Sequence, residues 1–475
     1  VFNTDMVESV DFYKGGFPAR FGGRASSVVD VRMKDGNMQD NRGSFSLGIT
    51  DGRFQMEGPI KKGVLSYNVA VRHSWVEAFL RPILNAVSTP DVSYSNDYTK
   101  EGHYAFTDLN AKFTWAKSSR DKITFNTYVG FDFMSFNDSS RSRNDIYIGG
   151  GTSYEQSKDS YKDANRWGNL LMSAIWERDL SDKRKMTSTY YVSDGYYHAL
   201  RENISEFTIR DKAYKEYSLE SNISSVLDIG AKIDFSDKSF GRHDLNYGAS
   251  VVYHLFSPIA FTHDYMENKE KGRYDEEEAT AGRNYHSPEL AIYAEDEFAI
   301  SPYIYLNAGL RYMLFITKNK AYNTVEPRFA LSYNPSRKLS LKLAYSEMSQ
   351  PVHQLESFKT ESPGSFWMPA TANMEPIHAR LASAETEWRP NRHFLLDFAC
   401  FWKTMDHLYE YTGNHILPSP AAWENEFTEG KGRSYGFEFY GEYQNERWEI
   451  STAYTLSWSQ RYFEAFYHDW YRDRY

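Results

Sequence analysis

The chain has 475 residues, and its 54 Lys and Arg against 64 Asp and Glu give a formal charge of −10, which leaves no electrostatic footprint for nucleic acid. Aromatic residues make up 17% (37 Tyr, 31 Phe, 11 Trp), yet mean hydropathy is −0.65 and no uncharged apolar stretch approaches the roughly 18 residues of a membrane-crossing helix. A helical membrane protein is excluded, whereas a β-barrel is not, because each strand shows lipid only its alternate residues.

Residues 1–42 have their own rhythm. Val7 to Tyr13 reads as a strand and Lys14-Gly15-Gly16 as a turn. Phe17 to Arg24 follows as a loop, then Ser26 to Met33 as a second strand ending at Lys34-Asp35-Gly36. The pairs Gly15-Gly16 and Gly22-Gly23 imply close backbone approach or positive φ. No helix follows them, and the spacing does not match a phosphate-cradling Gly-x-x-x-x-Gly-Lys-Ser/Thr loop. Val1-Phe2-Asn3 is neither a start methionine nor a signal peptide, so an interior piece of a longer precursor is expected.

From Gly43 onward, short connectors alternate with long ones. The short ones are Lys61-Lys62-Gly63, Lys117 to Asp121, Asp179 to Arg184, Ser301-Pro302, Asn334 to Lys338, Arg389 to His393 and Gln444 to Arg447. The long ones are residues 74–103, 134–165, 257–285, 349–379 and 409–432. An outer-membrane barrel has this asymmetry, with short periplasmic turns and long extracellular loops. About seventeen strands are predicted: near 43–50, 53–60, 64–73, 104–116, 121–133, 166–178, 185–199, 214–229, 243–256, 288–300, 303–315, 326–334, 338–348, 380–389, 393–407, 433–444 and 447–459.

Within these strands a large apolar face opposes a small polar one. Leu65, Tyr67, Val69 and Val71 oppose Ser66, Asn68, Ala70 and Arg72. Ile123, Phe125, Val129, Phe131 and Phe133 oppose Thr124, Asn126, Tyr128 and Asp132, and Leu339, Leu341, Leu343 and Tyr345 oppose Ser340, Lys342, Ala344 and Ser346. Phe394, Leu396, Phe398 and Trp402 oppose Asp397 and Lys403. Trp448, Ile450, Tyr454, Leu456 and Trp458 oppose Glu449, Ser451, Ala453, Thr455 and Ser457. A soluble β-sandwich would carry many charges on its polar face. Here that face is mostly Ser, Thr, Ala, Gly and Asn, as a filled aqueous lumen requires. Cys400, the one cysteine, rules out an internal disulfide and reads as a small lipid-facing hydrophobe.

The run MVESVDFYKGGFPARFGGRASSVVDVRMKDG resembles the C-terminal end of the plug domain of TonB-dependent outer-membrane receptors, in the form of the Bacteroidetes branch. Glu57-Gly58-Pro59-Ile60, Tyr293 to Phe298, Glu326 to Tyr333 and Arg433 to Glu438 resemble barrel segments of that branch. The resemblance implies an all-β fold: a transmembrane antiparallel barrel of about 22 strands with an N-terminal plug inside it. Residues 1–42 would be the C-terminal part of the plug and 43–475 the barrel, ending about five strands short of closure. It implies a Gram-negative outer-membrane location and TonB-dependent import of a scarce nutrient: siderophore, haem, vitamin, oligosaccharide or peptide. TonB would act through an N-terminal segment absent from this chain, and a surface lipoprotein is a further candidate partner. A passive porin or adhesive barrel is the alternative, though neither is expected to carry the glycine-rich run.

Two sets of residues are candidates for function. Arg20, Arg24 and Arg32 of the plug are expected to pair with wall carboxylates among Glu295, Glu297, Glu326, Glu385 and Glu438, since Arg forks suit carboxylates. Ligand contacts are expected from the long loops, at Tyr94 and Tyr98 and at His353, Trp367 and His378. No metal or cofactor is expected. The acidic run Asp275 to Glu278 lacks the spaced pattern of a Ca²⁺ loop, and the dispersed His residues form no zinc motif. Gly-x-Ser-x-Gly is absent, so the chain is not expected to be an enzyme.

Overall fold

The computed structural model describes residues 3–79, 82, 97–148, 151–209, 212–356, 365–411, 423–465 and 471–472. A 3-10 turn, Thr4–Met6, leads into a two-stranded antiparallel sheet of β1 (Val7–Tyr13) and β2 (Val28–Met33). This N-terminal hairpin lies against the inner side of one large sheet that curves into a barrel wall.

The wall begins with β3 (Arg42–Leu47), β4 (Asp51–Lys61), β5 (Leu65–Ser74), β6 (Asp97–Ala116) and β7 (Asp121–Ile148). It continues through β8 (Gly151–Ser181), β9 (Arg184–Ile209), β10 (Lys212–Phe240) and β11 (His243–Phe256). A side hairpin, β12 (Ile259–Asn268) with β13 (Gly272–Gly282), pairs with the upper part of β10, and β11 goes on to pair with β14 (Tyr285–Ser301). Next come β15 (Ile304–Thr317), β16 (Lys320–Ser336) and β17 (Leu339–Gln350). A separate inner hairpin follows, β18 (Val352–Glu356) with β19 (Ser365–Pro369). The wall resumes with β20 (Ile377–Trp388), β21 (Phe394–Tyr411), β22 (Phe427–Gln444) and β23 (Glu449–Phe463); the two-residue β24 (Tyr471–Arg472) pairs with β23. Among the described residues, seventeen long strands thus form the wall, each antiparallel to its neighbour.

The period-two reading holds on both faces. Phe125, Phe131, Leu343, Phe398, Phe437 and Ile450 are exposed outward, while Ser66, Asn68, Asn110, Thr114, Glu326 and Arg328 are buried inward. Lipid covers such an outer face, and the small inner side chains leave room for the N-terminal hairpin.

Within the described residues, by contrast, the long connectors are largely strand rather than loop. β7 and β8 stay in register from Asp121↔Arg178 up to Ile148↔Gly151, so residues expected as loop are paired ladder. Above the membrane both faces of a strand are wet, so apolar alternation is no longer required and the sequence signal fades while backbone pairing continues.

Candidate functional site

The N-terminal turn, residues 14–25, is held inside the barrel by both apolar and polar contacts. Gly16 adopts φ +60°, and a Cβ there would lie 2.7 Å from the Ala344 Cβ on β17, so only glycine fits. Gly23 is likewise left-handed at φ +73°. Phe17, 2% exposed, packs with Ala25, Met348, Ala379 and Leu381, joining the turn to β17 and β20. Burying one such ring contributes about 1.5–3 kcal/mol.

Around that apolar contact the wall grips the turn by its backbone. Arg328 on β16 donates to the carbonyls of Pro18 (2.7 Å) and Phe21, and its guanidinium lies 4.6 Å from the centre of the Phe17 ring. Its other arm reaches Glu326 at 2.7 Å. Glu295 on β14 accepts from the Ala19 N–H at 2.5 Å. Lys232 donates to the Arg20 carbonyl and Lys403 to the Ala25 carbonyl (2.6 Å), while the Ala25 N–H donates to the Gln350 amide oxygen (3.1 Å).

The expected arginine–carboxylate pairing is therefore replaced by another arrangement. Arg32 pairs with Asp11 (3.7 Å) and Asp30 (3.6 Å) of its own hairpin. Arg20 lies over the Phe21 ring, and Arg24 donates to the Gly23 carbonyl and lies 5.9 Å from the centre of the Trp367 ring. Glu326 and Glu295 are already engaged, by Arg328 and by Ala19. Glu438 pairs with a cation of the turn, but that cation is Lys14. Glu297 stands opposite Asn307 and Glu385 opposite Lys342 in their ladders, both exposed. The reversal has a physical reason: a folded turn inside the barrel presents backbone carbonyls and N–H groups that must be satisfied where they stand, and the buried wall side chains are the groups placed to do it.

A second attachment lies toward the short-turn rim. Asp35 meets Lys112 at 2.7 Å and Lys122 at 2.6 Å and accepts from Thr114 at 3.0 Å. Burial disfavours the charged carboxylate, but the two ammonium groups outweigh it and hold its pKa below the usual range. Sequence reasoning missed this site, as Asp35 reads there only as a turn residue before Gly36.

The candidate ligand residues fall in different places. Tyr94 lies outside the described residues. Tyr98 falls on β6, opposite Ser140, rather than in a loop. His378 stands on β20 and pairs with Glu347 on β17 at 3.1 Å. His353 and Trp367 belong to the inner hairpin, which folds into the mouth of the barrel. His353 is 1% exposed, edge-on to Tyr409 at 5.0 Å, so it is a packed residue and not a surface contact.

Burial drops the His353 pKa to about 4, against a backbone hydrogen bond with Glu375 that works to raise it. An opened hairpin would take up a proton there near the ordinary value of 6.5, while the closed one would not. Closure is therefore fully favoured above about pH 6.5 and loses about 1.4 kcal/mol per unit as pH falls from there toward 4. Hydrogen exchange of the Val352–Glu356 amides, corrected for intrinsic rates, is expected to quicken between pH 7.5 and 5.0. In His353→Phe that acceleration should vanish; its persistence would remove the role given to His353.

A family model described as TonB dependent receptor-like, beta-barrel matches residues 37–474. The chain belongs to the TonB-dependent receptor family. It is thus an outer-membrane barrel, with its lipid-facing belt on the outward apolar residues. No curated protein matches the sequence at a significant level. Among solved structures it is similar to the outer membrane transporter YddB from Escherichia coli, at 10% identity and TM-score 0.58, covering 97% of this chain and 64% of that one. The ferric-catecholate import receptor Fiu from E. coli K12 aligns at 12% identity and TM-score 0.54, over 92% of this chain and 67% of its own. The siderophore receptor PiuA from Acinetobacter baumannii aligns at 15% and 0.53, over 96% and 69%. At such identities the likeness establishes the fold, and the chain spans about two thirds of the length of these receptors.

Proposed function

We propose that this chain supplies the transport barrel and the last part of the plug of an energy-coupled importer, residues 1–42 being the plug portion. The observation that carries the reading is the grip on the N-terminal turn: a folded segment held inside the lumen largely by side chain-to-backbone hydrogen bonds. Each such bond contributes about 1–3 kcal/mol net, the charge-assisted ones at the upper end, so the set holds the turn firmly yet can be released stepwise without unfolding the wall ladder. A ligand would enter at the long-hairpin rim, and TonB would pull from the periplasm through an N-terminal segment of the full-length receptor.

The cargo is a scarce nutrient, and growth identifies it. A strain lacking the gene, supplied in turn with single iron, cofactor, glycan and peptide sources, is expected to fail on one of them. A tonB deletion should reproduce that failure, and the gene returned in trans should cure it. Equal growth of both strains on every source, or a defect indifferent to tonB, would instead mark a passive or structural barrel.

A further inference from the structure

Between β17 and β20, the described residues 351–356 and 365–376 lie off the wall, inside the lumen. Along them, Leu355, Met368 and Met374 form a buried apolar cluster against Tyr285, Tyr409 and Phe427, three residues from different wall strands. On the far side, the Trp367 N–H donates to the Ser224 hydroxyl on β10 at 3.1 Å. The stretch leading back to β20 is tied down as well: Tyr322 donates to the Thr371 carbonyl, the Glu375 N–H donates to the Tyr409 hydroxyl at 2.7 Å, and Lys320 meets Glu375 at 3.0 Å. The inner hairpin is thus a strut across the mouth, directly above the N-terminal turn.

Strut and turn share one joint. The Gln350 side chain accepts from the Ala25 N–H at 3.1 Å and donates to the Val352 carbonyl, the first residue of β18, at 2.8 Å. Lys403 holds the other polar group of Ala25, its carbonyl, at 2.6 Å. Glu326, bound to the same Arg328 that grips the turn, accepts from the Ser349 N–H at 3.2 Å, one residue before the joint. Trp367 rests over Arg24, the residue before Ala25.

We propose that the inner hairpin is an extracellular-side gate interlocked with the N-terminal turn, with Gln350 and Lys403 as the positioning residues that transmit displacement of the turn to β18. The interlock rests on the import reading, since it says what movement of the turn would do at the mouth. While Ala25 is seated, Gln350 is held in the geometry that pins Val352. When the turn moves, the bond from Ala25 is lost and the Gln350 amide is no longer held in the geometry that pins Val352. The β18 end of the strut is freed, while its apolar cluster and its ties to Ser224, Tyr322, Tyr409 and Lys320 remain. Gln350 suits this role because one planar amide offers an acceptor and a donor in opposite directions.

The test needs neither cargo nor import. In the full-length receptor in intact cells, with Cys400→Ser to remove the native thiol, Met368→Cys places a thiol at a site where the native side chain is 5% exposed. A membrane-impermeant maleimide then reads how often the strut lifts. Gln350→Leu removes both bonds, and Gln350→Glu keeps the acceptor for Ala25 but loses the donor to Val352. Both are expected to raise the labelling rate about fivefold or more. Lys403→Met should do the same, whereas Lys403→Arg, which still donates to Ala25, should label at the parent rate. Heat-modifiable electrophoretic mobility verifies that each barrel is folded. Parent-like labelling in folded Gln350→Leu and Lys403→Met overturns the interlock. Labelling equal in Lys403→Met and Lys403→Arg reduces Lys403 to packing and removes it from the joint. A null growth panel together with raised labelling would count against the import reading and leave the coupling standing.

Discussion

Arg328→Met in the full-length receptor is expected to unseat the N-terminal turn and make the outer membrane permeable to a large antibiotic such as vancomycin. The residue is 2% exposed and its guanidinium serves four partners at once: Glu326, the Pro18 and Phe21 carbonyls and the Phe17 ring. Methionine retains much of the volume and loses every polar contact. Glu326, 1% exposed, would then keep the Ser349 N–H and the charge of Arg311 opposite it in the ladder, but no direct cation partner of its own. Removing one partner of a buried ion pair costs about 3–5 kcal/mol, because the other charge stays desolvated and unpaired. Neutralising both residues, as Arg328→Met with Glu326→Gln, should recover part of that loss by removing the orphan charge, while the two turn carbonyls remain unheld. Vancomycin sensitivity therefore ranks wild type below the double variant and the double variant below Arg328→Met. A single variant as impermeable as wild type would show that the turn is seated by its apolar contacts alone.

Gly36→Ala is expected to break the second attachment. A Cβ at Gly36 would stand 2.1 Å from the Tyr67 carbonyl oxygen and 2.9 Å from its nitrogen, both backbone atoms of β5 locked in the ladder. Neither can yield, so the segment itself must lift, at a cost of about 1–3 kcal/mol for overpacking. Lifting Gly36 draws Asp35 away from Lys112 and Lys122, so a methyl group removes two ion pairs it never touches. The signature is faster hydrogen exchange over residues 34–38, with exchange across β14–β17 unchanged. Asp35→Asn separates the two causes, since it abolishes the ion pairs and leaves the backbone contact in place. If Gly36→Ala exchanges like wild type, the close approach to Tyr67 does not hold the segment.

The two attachments differ in kind. Near Asp35 the chain is fixed by charged side chains and an immovable backbone contact. At residues 14–25 the wall mostly binds carbonyls and N–H groups, a recognition that depends on the turn being folded, with the Phe17 ring as its apolar anchor. Local unfolding would release the turn at residues 14–25 while leaving the attachment at Asp35.

Much of this was legible in the sequence. The strands near 121–133, 338–348 and 447–459 were readable because lipid outside and a polar lumen inside impose a strict period of two. Gly16 was readable because few residues other than glycine tolerate its backbone. The expected loop at 134–165 was misread because strands that rise above the membrane lose that alternation, although their backbones stay paired. His353 and Trp367 read as loop contacts for a related reason: nothing local distinguishes a polar segment that points into solvent from one that turns back into the lumen.

The sequence by itself determined the barrel, its two rims and the presence of a distinct N-terminal hairpin, because each rests on chain-local properties: side-chain alternation, connector length and glycine spacing. Only the tertiary structure decided which groups hold that hairpin. Arg328 and Pro18 are 310 residues apart and Lys403 and Ala25 are 378 apart, and they meet only because the wall curves them toward a common interior. Sequence alone could list the charges facing the lumen. Their partners were set by which backbone groups the folded turn left unsatisfied at each point of the wall.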